Sequence, residues 1–324
     1  MAVNTDVADV VVRPATGLSN RNLWFALGLL LAVAAPFQFY PVFLMKVLCF
    51  ALFACAFNLL IGFAGLLSFG HAAFFGGSAY VTAHAAKVWG LTPELAILAG
   101  MLFAAVLGLL FGAIAIRRQG IYFAMITLAL SQMVFFMALQ MKFTGGEDGI
   151  QAVPRGHLFG LIDLADPLAM YYTVLAIFVG GFALIWRTVH SPFGQVLKAI
   201  RENEPRAVSL GYRTERYKLL AFVLSATLAG LAGSTKALVF QLASLTDVTW
   251  QMSGEVVLMT LLGGMGTLLG PVVGAALVVT LQNYLAATNL PVTVVIGAIF
   301  VVCVLLFRRG IVGEAQRVLG KAAR

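Results

Sequence analysis

Residues 42–62 read VFLMKVLCFALFACAFNLLIG, and Lys46 is the one charged residue among them. About 20 apolar residues in helical form cross a hydrocarbon core of roughly 30 Å. This stretch therefore has the length and composition of a membrane span. Working outward from it, glycine, proline and polar turns divide the chain into similar apolar runs at 23–39, 64–86, 95–116, 121–141, 169–189, 217–240, 255–269, 271–287 and 292–307. The runs at 23–39, 64–86, 255–269 and 271–287 are short or interrupted by glycine. The expected fold class is an all-α integral membrane protein of about ten transmembrane helices, some broken or re-entrant, with cytoplasmic N- and C-termini.

Composition points the same way. Of 324 residues, 61% are hydrophobic and 10% charged, against about 25% charged in an ordinary soluble domain. A soluble globule of this size cannot hide that much apolar surface. Residues 1–22 carry Asp6, Asp9, Arg13 and Arg21 but lack the basic start, apolar middle and small-residue cleavage site of a secretory signal. They read as a cytoplasmic tail, as do residues 308–324, with a transmembrane domain at 23–307 between them.

The net charge of +8 reports orientation rather than nucleic-acid binding. With ten crossings, one side holds Arg13, Arg21, Arg117, Arg118, Arg187, Lys198, Arg201, Arg206, Arg213, Arg216, Lys218, Arg308, Arg309, Arg317, Lys321 and Arg324. The other side holds Lys87, Lys142 and Arg155, while Lys46 and Lys236 fall inside runs. The positive-inside tendency makes the first side cytoplasmic. Cys49, Cys55 and Cys303 all sit in apolar runs without CxxC or histidine spacing, which suggests packing rather than a disulfide framework or a metal site.

Two loops are too long to be simple turns. The outer one, 142–168, opens with Thr144-Gly145-Gly146-Glu147-Asp148-Gly149. The inner one, 190–216, spaces Val196, Leu197, Ile200, Ala207 and Leu210 between charges, a pattern of short amphipathic helices at the membrane surface that Pro205 splits. Two glycine-rich stretches, 62–77 and 263–274, lie at membrane depth. Irregular backbone there is tolerated only when protein buries it or a watery cavity solvates it. Gly65, Gly264 and Gly266 are therefore candidates for a translocation path. Glycines spaced by four, such as Gly266, Gly270 and Gly274, equally suit close helix packing. Asn58, Ser68 and His71 are polar residues in apolar runs; they either bond across helices or mark the same path. Lys236 and Glu255 are costlier in lipid and are expected to face water or a partner, or to reach the outer boundary.

Catalysis finds little support. Ser68 lacks the glycine two residues earlier that a GxSxG elbow needs, and no acid accompanies His71. No GxxxxGK[ST] loop is present to cradle a nucleotide.

Four motifs in register then resemble one family. They are NLLIGFAGLLSFGHAAFFG at 58–76, TGGEDGI at 144–150, AIRENEPRA at 199–207 and GGMGTLLGP at 263–271. Together they resemble the LivM-type permease of branched-chain amino acid ATP-binding-cassette (ABC) importers, over about 23–307. The resemblance implies a permease in the inner membrane of a bacterium, embedded in lipid. It would pair with a LivH-like permease, two ATPase subunits that bind ATP, and an extracytoplasmic substrate-binding protein facing Thr144, Gly145, Gly146 and Asp148. It also implies that Arg201, Glu202, Asn203, Glu204 and Arg206, with Leu210 and Gly211 ending the element, couple to the ATPase. Pro205 departs from a helix-compatible pattern at that site. A permease for urea or short amides and an ion-coupled secondary transporter are the alternatives.

Overall fold

The structure is a computed structural model that describes residues 28, 30–286, 294–295, 297–298, 300–301 and 310–314. The tail 1–22, most of the tail 308–324, Cys303 and most of the span expected at 292–307 lie outside the described residues. The chain divides into two compact units, Met1–Tyr40 and Pro41–Arg324. The described part of the first is helical over 30–34 and closes in a 3-10 turn, Ala35–Phe37.

The second unit is a helical bundle. Its helices are α1 Pro41–Asn58, α2 His71–Lys87, α3 Pro93–Ala115, α4 Ile121–Gln140, α5 Pro167–His190, α6 Pro192–Glu202, α7 Glu204–Ser209, α8 Thr214–Phe240, α9 Trp250–Gly263 and α10 Gly270–Leu285. A π-helical turn, Leu59–Ala64, extends α1. Among the described residues five elements are long and apolar enough to cross a membrane: Pro41–Ala64, Pro93–Ala115, Ile121–Gln140, Pro167–His190 and Thr214–Phe240. The runs expected at 64–86 and 255–269 are shorter helices, α2 and α9, each bounded by an irregular stretch. The reason is local: Gly65, Gly264 and Gly266 all have positive φ, which ends helical hydrogen bonding where they occur.

Helix α8 is the centre. It packs against α1, α2 and α3, and α10 packs against α1 and α9. Small residues allow this closeness. A Cβ on Gly230 would stand 2.3 Å from the Ala104 Cβ, and one on Gly233 would stand 1.9 Å from the Phe75 carbonyl oxygen. The core is built of Phe53, Phe57, Phe74, Phe75, Phe123 and Phe222 with small alanines between them.

Contacts sort the second unit into two ends. At one, the turn after α1, the α3–α4 turn, the α5–α8 connection and the α9–α10 turn come together. At the other, two-residue strands β1 Ile150–Gln151 and β4 Leu242–Ala243 pair antiparallel, and Lys87 Nζ donates to the Gln151 carbonyl at 2.7 Å. A second short hairpin, β2 His157–Leu158 with β3 Ile162–Asp163, belongs to the loop that carries β1. The first end carries Arg117, Arg118, Arg187, Lys198, Arg201, Arg206, Arg213, Arg216 and Lys218; the second carries Lys87, Lys142 and Arg155.

The long loop at the basic end is two helices, as its sequence pattern suggests. Ser191 caps α6 by accepting from the Gly194 amide at 3.3 Å, with Pro192 in the first turn. Leu197 and Ile200 bury one face of α6. The split between α6 and α7 falls at Asn203, not at Pro205. Asn203 is extended (φ −156°, ψ 93°) and accepts from the Arg206 amide at 3.0 Å, while Pro205 sits in the first turn of α7, where its missing N–H costs nothing. Leu210 caps α7 and Gly211, at φ 89°, turns the chain toward α8.

Candidate functional site

The site grows from a backbone irregularity. In a π turn the carbonyls bond one residue further along than in an α-helix, and such turns are often found at functional positions. Here the turn ends at Gly65 (φ 73°), and the Gly62 carbonyl accepts a hydrogen bond from Arg201 Nη1, at the C-terminal end of α6. Asn58, 2% exposed, fastens the same turn to the second glycine stretch. Its Oδ1 accepts from the Gly266 amide at 2.9 Å and its Nδ2 donates to the Thr267 carbonyl at 2.8 Å.

The approach requires glycine twice. A Cβ on Gly62 would lie 2.2 Å from Asn58 Oδ1 and 2.7 Å from the Gly266 nitrogen, and a Cβ on Gly65 would lie 3.0 Å from Arg201 Cγ. Gly62, Phe63, Lys198, Arg201, Glu202 and Gly266 line a cleft of about 420 Å³, with Lys198 Nζ 5.8 Å from the Phe63 ring centre. Of the candidate path residues, Asn58, Gly65 and Gly266 thus meet at one place, together with Arg201 of the inner loop. Gly264 (φ 115°) belongs to the same turn, beside Gly310. Gly270 and Gly274 do something else: a Cβ on Gly274 would stand 1.8 Å from the Met259 carbonyl oxygen, so they set the closeness of α9 and α10.

A second tie lies at the start of α7. Glu204 accepts from Lys218 Nζ at 2.6 Å and from Gln119 Nε2 at 2.9 Å, joining the loop to α8 and to the α3–α4 turn. Lys218 is only 4% exposed. Arg201 and Glu204 therefore bond within the chain. Glu202, Asn203, Arg206, Leu210 and Gly211 are exposed, as is Val208, and Leu210 is 69% exposed.

Ser68 and His71 lie apart from this knot and are fully buried. Ser68 Oγ accepts from the Gly70 amide at 3.2 Å, and Thr127 Oγ1 accepts from the Phe69 amide at 3.2 Å. Ser225 Oγ gives its one hydrogen to the Ala56 carbonyl at 2.6 Å, so it receives from His71 Nε2, 2.9 Å away, which assigns the proton to Nε2. Phe57, Phe74 and Phe222 surround the imidazole edge to face. Ser68 and His71 have different partners and do not bond to each other.

At the other end Thr144 is buried and donates to the Met141 carbonyl at 2.7 Å. Gly145 and Gly146 have positive φ, and Asp148 is exposed at the tip of a 3-10 turn. Beneath lies an ion pair between Lys236 Nζ and Asp247 Oδ1, with Asp247 1% exposed and Lys236 about 5.9 Å from the Phe75 ring centre. Of the two outcomes expected for Lys236, a partner or the outer boundary, the structure gives the partner: the side chain is part-buried and paired, because Asp247 folds back over the end of α8. Asp247, Lys218, Gln119, Thr267 and Ser225 were not singled out by sequence. An acid eleven residues after a lysine, across a helix end, was the one available signal for Asp247.

The sequence profile of a family described as "Branched-chain amino acid transport system / permease component" matches residues 42–305. The high-affinity branched-chain amino acid transport system permease protein LivM of Escherichia coli K12 is 28% identical over 319 residues, covering 90% of this chain and 75% of its own length. The protein of the same description from Salmonella typhimurium LT2 is also 28% identical, over the same shares. The ribose import permease protein RbsC of Bacillus subtilis 168 is 27% identical over 203 residues, 56% of this chain and 58% of that one. No solved structure matches. With the profile spanning most of the chain and all four motif stretches inside it, this chain belongs to the family of permease components of branched-chain amino acid transport systems.

Proposed function

We propose that this chain is the membrane-embedded permease subunit of a bacterial inner-membrane ABC importer for branched-chain amino acids. The observation that carries the reading is the family match over residues 42–305. Ten crossings place the tails 1–22 and 308–324 in the cytoplasm, and the arginine-rich end of the bundle faces the same side. ATP binds to separate ATPase subunits, and this chain performs no chemistry of its own. A LivH-like second permease completes the path, and a binding protein delivers substrate to the end that carries Thr144, Gly145, Gly146 and Asp148.

Coupling follows from the two ties of the inner loop. The exposed residues Glu202, Asn203, Arg206 and Leu210 offer a charged and apolar surface for an ATPase groove. Arg201 and Glu204, which bond inward, carry its motion into the bundle. Through Arg201 the motion reaches the Gly62 carbonyl, and through Asn58 it reaches the turn at 264–267. Both turns are points where helical hydrogen bonding is already interrupted, so they deform at lower cost than a continuous helix.

The test is ATP-driven uptake of labelled leucine by proteoliposomes holding the full complex and its binding protein. Wild type is expected to accumulate leucine only with ATP, and Arg206→Glu to depress uptake and ATPase stimulation together without loss of assembly. Accumulation driven by an ion gradient without ATP would overturn the reading in favour of a secondary transporter. Unchanged uptake in Arg206→Glu would remove the loop from the coupling path.

A further inference from the structure

The end of the bundle opposite the arginine-rich loop carries charges that form no ion pair among the described residues. Lys46 is the sixth residue of α1, Glu255 the sixth of α9, and Gln282 the fourth from the end of α10. At 1.5 Å per residue they lie about 5–8 Å in from their helix ends. The three helices are mutual neighbours. Gln282 Nε2 donates to Glu255 Oε2 at 3.1 Å, which fixes the carboxylate's orientation without neutralising it. Lys46 is within electrostatic reach of Glu255 and Lys236. Among the described residues, however, no ion pair within 4.0 Å includes Lys46 or Glu255. Lys236, at a similar depth, differs because Asp247 neutralises it. Lys46, Glu255 and Gln282 are all partly exposed.

Ionisable groups in a membrane-spanning segment are expensive and are kept where they meet a counter-charge, water or a transported solute. Here a cation and an anion stand on adjacent helices at a similar depth, with no ion pair between them. A ligand that satisfies both must carry the opposite charges a short distance apart. An α-amino acid does so, with an ammonium and a carboxylate on one carbon. We propose that Lys46, Glu255 and Gln282 form an outer station of the path that holds the zwitterionic head group of the substrate. Glu255 receives the ammonium, Lys46 the carboxylate, and the Gln282 amide keeps the Glu255 carboxylate aimed. The station says nothing about the side chain, which leaves discrimination among aliphatic amino acids to other contacts. This inference rests on the amino-acid reading above.

The experiment uses the assembled complex in proteoliposomes with saturating leucine-loaded binding protein. Glu255→Gln and Lys46→Gln are each expected to lower leucine uptake at least tenfold while binding-protein-stimulated ATP hydrolysis stays within twofold of wild type. The exchange Lys46→Glu with Glu255→Lys is expected to leave uptake low, because head group and delivery direction are then mismatched. Uptake restored by the exchange would make the two residues a plain structural pair and overturn the proposal. So would neutral variants that transport within twofold of wild type. A second readout removes no charge: Gln282→Cys is expected to react severalfold more slowly with a water-soluble thiol reagent when the binding protein is leucine-loaded than when it is empty, and equal rates would overturn the proposal. A wild-type complex that carries neither leucine nor valine overturns the amino-acid reading and this inference with it; one that does, alongside unaffected variants, overturns this inference alone.

Discussion

Asn58→Leu is the sharpest perturbation of the knot at the basic end. The substitution keeps the number and branching of side-chain heavy atoms and increases apolarity, which a membrane helix accepts; it removes two hydrogen bonds and sets methyl groups against the same backbone atoms. Both tie Asn58 to one turn, from the Gly266 amide at 2.9 Å and to the Thr267 carbonyl at 2.8 Å. Leaving a buried backbone group unpaired costs about 1–3 kcal/mol, and hydrogen bonds between membrane helices average about 0.6 kcal/mol. Because both bonds are only part-buried, about 2 kcal/mol for the pair is the appropriate magnitude. That corresponds to roughly a 30-fold change in the local opening equilibrium, at 1.4 kcal/mol per tenfold. Hydrogen exchange of a peptide covering 262–270 in the purified complex should accelerate by about that factor, while peptides from α3 and α4 should not change. Leucine uptake should fall with ATP hydrolysis largely retained, since the tie lies beyond the surface proposed to meet the ATPase. Unaltered exchange at 262–270 would refute the reasoning, because the turn would then be held by something other than Asn58.

Other outcomes follow from the same contacts. Lys218→Met removes the counter-charge of Glu204, which keeps its bond from Gln119 and is about one-fifth exposed. After discounting the 3–5 kcal/mol typical of a broken buried pair for that exposure, about 2 kcal/mol of destabilisation is expected; adding Glu204→Gln should recover part of it in a thermal-unfolding series. Lys236→Met leaves Asp247 buried and unpaired at 1% exposure, so about 3–5 kcal/mol should be lost and the midpoint of unfolding should drop further than for Lys218→Met. Gly233→Ala places a methyl against the Phe75 carbonyl oxygen and should lower stability by about 1–3 kcal/mol, whereas Gly180→Ala, with open space around it, should be neutral or slightly stabilising in the same assay.

The apolar runs alone were enough to read a helical membrane protein. Run length and charge spacing depend on residue type, and residue type is what the sequence displays. They also placed most helices within two or three residues, as α3 and α4 illustrate against 95–116 and 121–141. What was not legible depended on backbone conformation and distant partners. The split at Asn203 follows from a side-chain cap, and the proline two residues later marked the region but not the residue. Likewise, 62–77 and 263–274 both looked like glycine-rich path or packing. Only the fold shows that Gly266 meets Arg201 and Asn58 while Gly274 meets the Met259 carbonyl. Arg201 and Arg206 looked equivalent in the string AIRENEPRA. Both are exposed, but Arg201 turned out to bond to the Gly62 carbonyl, a difference set by the α6–α7 break between them.

That break also bears on the coupling proposed for the loop. A single continuous helix from 192 to 209 would present Arg201 and Glu204 on related faces and could roll without displacing its neighbours. With Asn203 extended, the two residues act from separate rigid segments. Arg201 pulls on the π turn after α1, and Glu204 pulls on Lys218 at the start of α8 and on Gln119 between α3 and α4. A displacement applied to the exposed surface at 202–210 therefore reaches α1, α3 and α8 at once. Helix α8 packs on α1, α2 and α3, and its packed core resists continuous deformation. The compliant points are then the two glycine turns, at 59–65 and 264–267, which Asn58 locks together. Motion entering from the loop can be absorbed there by relative movement of α1 and α9, the helices that carry Lys46 and Glu255 at their far ends. Under the proposed coupling, the tie between the turns and the two charges at the opposite end of the same helices form a lever, and a shift of the loop is expected to change the separation of the cation and the anion.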